Sequence, residues 1–173
     1  MAFKRHHIES WVTRQFPGER FLSYVATSTR GGATAGAGGI HSSGSIGGDV
    51  ERLALAESIG LDPEGRLVVH HEATFWALTD RQLLLGTRSG LRNRPKELLH
   101  AAAIDGVRVW WFDSDPEAGN QFRHFLVDFG DGSWRGDRTG LKALGRELTT
   151  SNSDEFLQAI GETIGDRLRA VEV

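Results

Sequence analysis

The stretch that most limits what this chain can fold into is residues 75–85. It reads Phe75, Trp76, Ala77, Leu78, then Thr79, Asp80, Arg81, Gln82, then Leu83, Leu84, Leu85. A helix through it would have to bury Asp80 and Arg81 or expose three leucines. Strand, tight polar turn, strand avoids both costs, because strong β-formers flank residues that favour turns. A chain built around such a hairpin is β-rich.

The length of 173 residues suits one domain with a substantial core. The formal net charge of −3 gives no push toward nucleic acid, and no nucleic-acid partner is expected. Cysteine is absent, which removes disulfides and thiolate metal sites and fits a cytoplasmic protein. The first nine residues, with Lys4, Arg5, His6 and His7 among them, hold no apolar run of signal-peptide length. No stretch approaches the roughly 20 apolar residues of a transmembrane helix.

Before the hairpin, Phe3, Ile8, Trp11, Val12 and Phe16 recur at helical steps, so residues 3–16 are expected to form an amphipathic helix ended by Pro17-Gly18. It packs on the domain or, with Lys4, Arg5 and Arg14, lies on a membrane surface or a partner. Residues 20–29 suit a first strand. A Gly/Ser/Ala run over 31–48 reads as a flexible loop, without the lysine and hydroxyl that a phosphate-cradling loop requires. Asp49 is placed to cap a short helix over 50–59, stopped by Gly60. A long strand is expected over 66–79.

After the hairpin, residues 98–103 suit a short strand, and Val107, Val109 and Trp111 share one face of the next, with Arg108 and Trp110 on the other. Residues 122–129 form a strand, Gly130-Asp131-Gly132 a tight hairpin, and Ser133-Trp134-Arg135-Gly136 the start of the last strand. Residues 139–148 read as a short helix or irregular turn. Ser153 is placed to cap a C-terminal helix with Phe156, Leu157, Ile160, Ile164, Leu168 and Val171 as its apolar stripe.

Candidate chemistry is sparse. His70, His71 and Glu72 suggest a metal, but strand neighbours point to opposite faces, so they read as ordinary sheet residues. No serine sits in a nucleophile elbow, and Asp113, Asp115, Asp128 and Asp131 read as turn and hairpin residues. No catalytic residue, metal or cofactor is expected. Arg88, Arg92, Arg94 and Lys96 crowd one predicted turn without an acid among them, which is either a solvated loop or an anion site. Adjacent Trp110 and Trp111 must face opposite ways, so one is core and the other is covered by another element or offered to a partner.

Taken in order, these features resemble bacterial pleckstrin-homology-like (PH-like) domains. The stretch 76–84 is similar to the "LTDRRLL" hairpin of that family. The lead-in Phe16-Pro17-Gly18-Glu19-Arg20, the segment 99–109, the Asp-Gly hairpin within 125–134 and the acidic-Phe opening Asp154-Glu155-Phe156-Leu157 match its later parts. The resemblance covers residues 17–172. It implies a mainly β fold with helices: a bent antiparallel barrel of about seven strands capped by the C-terminal helix. The whole chain, 1–173, would be one such domain, with residues 30–66 inserted between the first two strands. In eukaryotic relatives that region helps hold phosphoinositide headgroups through basic residues. Here it is glycine-rich and nearly uncharged up to Asp49, so that role does not carry over. The resemblance further implies a non-enzymatic binding or scaffolding module for a protein partner or an anionic lipid. The alternative is a small hydrolase or transferase that uses the insertion as a lid.

Overall fold

The computed structural model describes residues 3–28, 46–68, 73–89, 93–115, 120–143, 146–148 and 152–172. Helix α1 (Arg5–Gln15) leads into strand β1 (Phe21–Ser28), followed by helix α2 (Ile46–Ser58). The hairpin β2 (Ala73–Thr79) and β3 (Gln82–Arg88) comes next, then β4 (Pro95–Ala103), β5 (Arg108–Asp113), β6 (Gln121–Asp128) and β7 (Trp134–Ala143). A two-residue β8 (Arg146–Glu147), helix α3 (Ser153–Ile164) and a three-residue β9 (Leu168–Ala170) close the chain.

The β2–β3 turn is locked from outside. Leu78 pairs with Leu83 across it. The Thr79 hydroxyl accepts from the Gln82 amide at 2.8 Å and the Arg81 amide at 3.2 Å, and donates to Glu19 Oε2 at 2.7 Å. Asp80 and Arg20 exchange hydrogen bonds: the Arg20 amide donates to Asp80 Oδ1 and the Asp80 amide to the Arg20 carbonyl, each at 3.0 Å. The segment entering β1 therefore fixes the turn that organises β2 and β3.

All strands belong to one sheet, in the order β4-β3-β2-β1-β7-β6-β5-β9, with β8 beside β7. The pairs are antiparallel except β5–β9, which is parallel. The fold is mainly β with a C-terminal helix, as expected, but the bent barrel is not closed: the hydrogen-bonded path is open, with β4 and β9 at its ends. Between β4 and β5 the chain makes a single 3-10 turn, Ile104–Gly106, instead of a strand pairing. The β6–β7 hairpin comes against that turn, and a Cβ on Gly130 would stand 2.5 Å from the Gly106 carbonyl oxygen. Gly130 also has φ +78°, so glycine is required twice over.

The concave face wraps α3. Phe156, Ile160 and Ile164 enter one core with Val25 of β1, Trp76 and Leu78 of β2, Leu83 and Leu85 of β3, Val109 of β5 and Phe125 and Val127 of β6. On the convex face, α1 buries Ile8, Trp11 and Val12 against Tyr24, Phe75, Ala77 and Leu84. The same face carries α2 at its other half, where Ala56 packs with Trp110, Leu126 and Trp134. Arg52 of α2 lies across Gly136 of β7, where a Cβ would meet its Cδ at 2.9 Å.

Several local expectations are corrected. Of the strand expected over 66–79, β2 holds Ala73–Thr79, Arg66 makes an isolated parallel bridge with Trp134, and residues 69–72 lie outside the described residues. Helix α2 starts at Ile46, so Asp49 lies within it and does not cap it. Residues 139–143 continue β7, because pairing with β6 through Gly140 and Lys142 holds them extended. Asn152, at φ 54°, takes the cap position of α3, and Ser153 is its first helical residue. The C-terminal stripe belongs to two elements: Gly165, at φ 61°, ends α3, and Leu168 lies in β9. Of the flexible loop expected over 31–48, residues 46–48 are the start of α2, and residues 31–45 lie outside the described residues.

Two stability predictions follow from this packing. Phe156→Ala empties the centre of the concave core and should cost about 3–5 kcal/mol in urea unfolding. An unchanged midpoint would remove α3 from the core. Thr79→Val leaves two turn amides and Glu19 without the hydroxyl and should cost about 1–3 kcal/mol. Wild-type stability for that variant would make the turn lock incidental.

Candidate functional site: the cleft at the head of the C-terminal helix

A cleft of about 460 Å³ opens where the far ends of β6 and β7 meet β8 and the first turn of α3. Gln121, Arg123, Leu141, Lys142, Glu147, Leu148 and residues 152–155 line it. The sheet register produces it: Gln121 pairs with Lys142, and Lys142 with Glu147, so β7 carries both walls outward past β6. Irregular pairing between Gln121 and Phe122 bends that end of the sheet.

Arg123 forms the floor. It faces Asp113 across the β5–β6 pair, and its Nε and Nη2 donate to the two carboxylate oxygens at 2.7 and 2.9 Å. Its guanidinium lies 4.8 Å from the Trp111 ring centre. Its Nη1 turns to the cleft, donating to Asp154 Oδ1 and to the Ser153 hydroxyl at 3.4 Å. Burial works against the charge, but the hydrogen bonds and charges of Asp113 and Asp154 outweigh it and raise its pKa above the ordinary value. On the rim, Glu155 pairs with Arg5 of α1, which also donates to the Leu22 carbonyl at 2.8 Å. The cleft thus offers both charge signs and two leucines.

The residues expected to form an anion site do not share one environment. Arg88 is turned inward: its Nε donates to the Thr74 carbonyl at 3.0 Å, its Nη2 to the Thr27 carbonyl at 3.3 Å and its Nη1 to Asn93. Burial lowers its pKa to about 10, so it stays charged at neutral pH. Arg94 and Lys96 are exposed, and Arg92 lies outside the described residues. Of the paired tryptophans, Trp110 is 6% exposed beneath α2 and Trp111 is half-buried against the concave core and Arg123. Neither stands free as a surface aromatic. His70, His71 and Glu72 lie outside the described residues, among which no group of three or more His, Asp or Glu is placed to hold a metal. No helix among the described residues is long and apolar enough to cross a membrane.

The cleft residues were hidden in sequence because residues 139–148 read as a helix or turn. The one local signal was the Asp113 and Arg123 pair, symmetric about the acidic turn of a β-hairpin. No family model matches the chain, and no curated protein matches it.

A buried titratable group sits on the convex face. His124 stacks on Phe112 with ring centres 4.6 Å apart and 4° between planes. Its Nδ1 lies 2.8 Å from Arg52 Nη1, which makes the neutral imidazole the acceptor. Burial, then the charges of Arg52 and Arg138, push its pKa down to about 3. The unfolded chain therefore takes up a proton near pH 6.5 that the folded one refuses, and stability should fall as pH drops from about 6.5 toward 3. His124→Asn should flatten that fall by up to about 1.4 kcal/mol per pH unit. Parallel acid-unfolding curves for the two proteins would contradict the assignment.

Proposed function

We propose that this chain is a PH-like, non-enzymatic binding module that recognises a polypeptide segment in the cleft at the head of α3. The strand order around a C-terminal helix supports the PH-like reading: two antiparallel meanders, β1 to β4 and β5 to β7, are joined where β1 meets β7, with α3 on the concave face. The observation that carries the function is the lining of the cleft. Arg123 and Lys142 stand with Glu147, Asp154 and Glu155 around Leu141 and Leu148. Mixed charge beside apolar side chains suits a peptide, with its alternating backbone polarity and side chains, better than a phosphate headgroup. The inward commitment of Arg88 weakens the lipid reading further, because it leaves the β3–β4 turn with fewer outward cations.

Site-specific photo-crosslinking tests this. A photoreactive residue at position 142 or 147 should give discrete protein adducts in extract of the native host, and the same residue at exposed position 9 on α1 should not. Identical adducts from all three positions would sink the cleft as the recognition site. Co-sedimentation with phosphatidylserine vesicles, combined with silence at 142 and 147, would replace the polypeptide by a lipid.

A further inference from the structure

Arg123 is held by Asp113 and Trp111 and turns one nitrogen to the cleft. Asp113 grips it bidentately, Trp111 covers a face, and the residue is 8% exposed. Only Nη1 addresses the cleft, and its partners there are Asp154, whose side chain is 90% exposed, and the Ser153 hydroxyl at 3.4 Å. The two carboxylates on this guanidinium are therefore unequal. Asp113 makes two bonds and its side chain is 32% exposed; Asp154 makes one bond from almost full solvent. Asp154 is solvated on its own side, so exchanging it for another carboxylate keeps the buried guanidinium paired and returns Asp154 to water. The guanidinium is already oriented, so an incoming group does not have to order it.

Resting on the polypeptide reading of the cleft, we propose that Asp154 stands in for a partner carboxylate. An acidic side chain of the bound segment displaces Asp154 from Arg123 Nη1 and takes its place, while Asp154 swings into solvent. Lys142 lines the same cleft opposite Glu147, its pairing partner on β8, and Glu155 is kept occupied by Arg5. Charge-assisted bonds to a fixed guanidinium give directional selection of a carboxylate over an amide. Asp154 then sets the affinity: it competes from within the chain, and only segments that outbid it bind.

The test is a titration of the full chain with a blocked tetraglutamate peptide, followed by nuclear magnetic resonance at the Arg123 Nε–H and the Ser153 amide. Wild type should show shifts confined to the cleft, weakened by added salt. Asp154→Ala should reach the same shifts at about tenfold lower peptide, because the competent state no longer has to be freed. Asp154→Asn, neutral and of the same shape, should move the same way and carries the test if the alanine variant fails to fold. Equal affinity in wild type and both variants would overturn the proposal, as would a tetralysine peptide taking the place of tetraglutamate. Should the photo-crosslinks at 142 and 147 persist under that result, the polypeptide reading stands without this one; loss of both removes both.

Discussion

Among the described residues, the sheet holds together as one body because β1 is shared. On one side β1 pairs with β2 along its length, from Phe21 against Thr79 to Ser28 against Ala73. On the other, among the described residues, it pairs with β7 at Ser28 and Arg138. The β1–β2 ladder makes β1 to β4 one half, the β1–β7 pairing joins β5 to β7 to it, and the fold between the halves makes the concavity that α3 fills. The two faces of β1 also divide the layers: Val25 looks into the α3 core and Tyr24 into the α1 cluster, with its hydroxyl donating to the Phe3 carbonyl at 2.7 Å.

The polar side of this joint is built from buried guanidinium groups. Arg88 bonds the carbonyls of Thr27 and Thr74, tying β1 and β2 from above β3. Asp137 of β7 accepts from the Thr74 hydroxyl at 3.2 Å and the Thr27 hydroxyl at 3.4 Å, so it reaches the same two strands from the other half. Arg135 Nη2 lies 2.7 Å from Asp137 Oδ1 but out of line for a hydrogen bond, which leaves an ionic attraction, while its Nη1 donates to the Leu67 carbonyl at 3.0 Å. Buried charges of this kind hold geometry more than they add stability, because desolvation offsets most of the attraction. They place the strand ends where short ladders alone would leave them loose.

That use of arginine explains which parts of the molecule were legible in sequence. The β2–β3 hairpin was readable because its information is local: β-formers, a turn triad, then leucines. The α3 stripe was readable through Ile164, and its misplaced end at Leu168 has a local cause in Gly165, whose positive φ only the structure displays. Arg88 misled because a run of cations looks the same whether it faces water or the carbonyls of two distant strands. The cleft was invisible for a related reason. Its walls meet only because β7 runs on to Ala143 through pairing with β6, and that pairing overrides the weak local preference of residues 139–143. The tryptophan pair was half legible. Alternation assigned opposite faces to Trp110 and Trp111, but that α2 covers Trp110 depends on residues far away in sequence.

The cover by α2 ties the segment between β1 and β2 into the fold. Trp110, Leu126 and Trp134 come from three adjacent strands and would form a continuous apolar patch if the sheet stood alone. Ala56, Leu55 and Ile59 close it, and Arg52 reaches across Gly136 to the buried His124. A helix that removes apolar area from water and supplies a partner to a buried imidazole is part of the core. The division of labour between helices is then clear. On the convex face α1 and α2 are spent on covering the sheet. Only α3 both fills the core, through Phe156, Ile160 and Ile164, and presents a first turn to an open cleft through Ser153 and Asp154. Recognition placed there sits on the most deeply anchored helix of the fold, so the position of Asp154 relative to Arg123 is set by core packing and not by a loop.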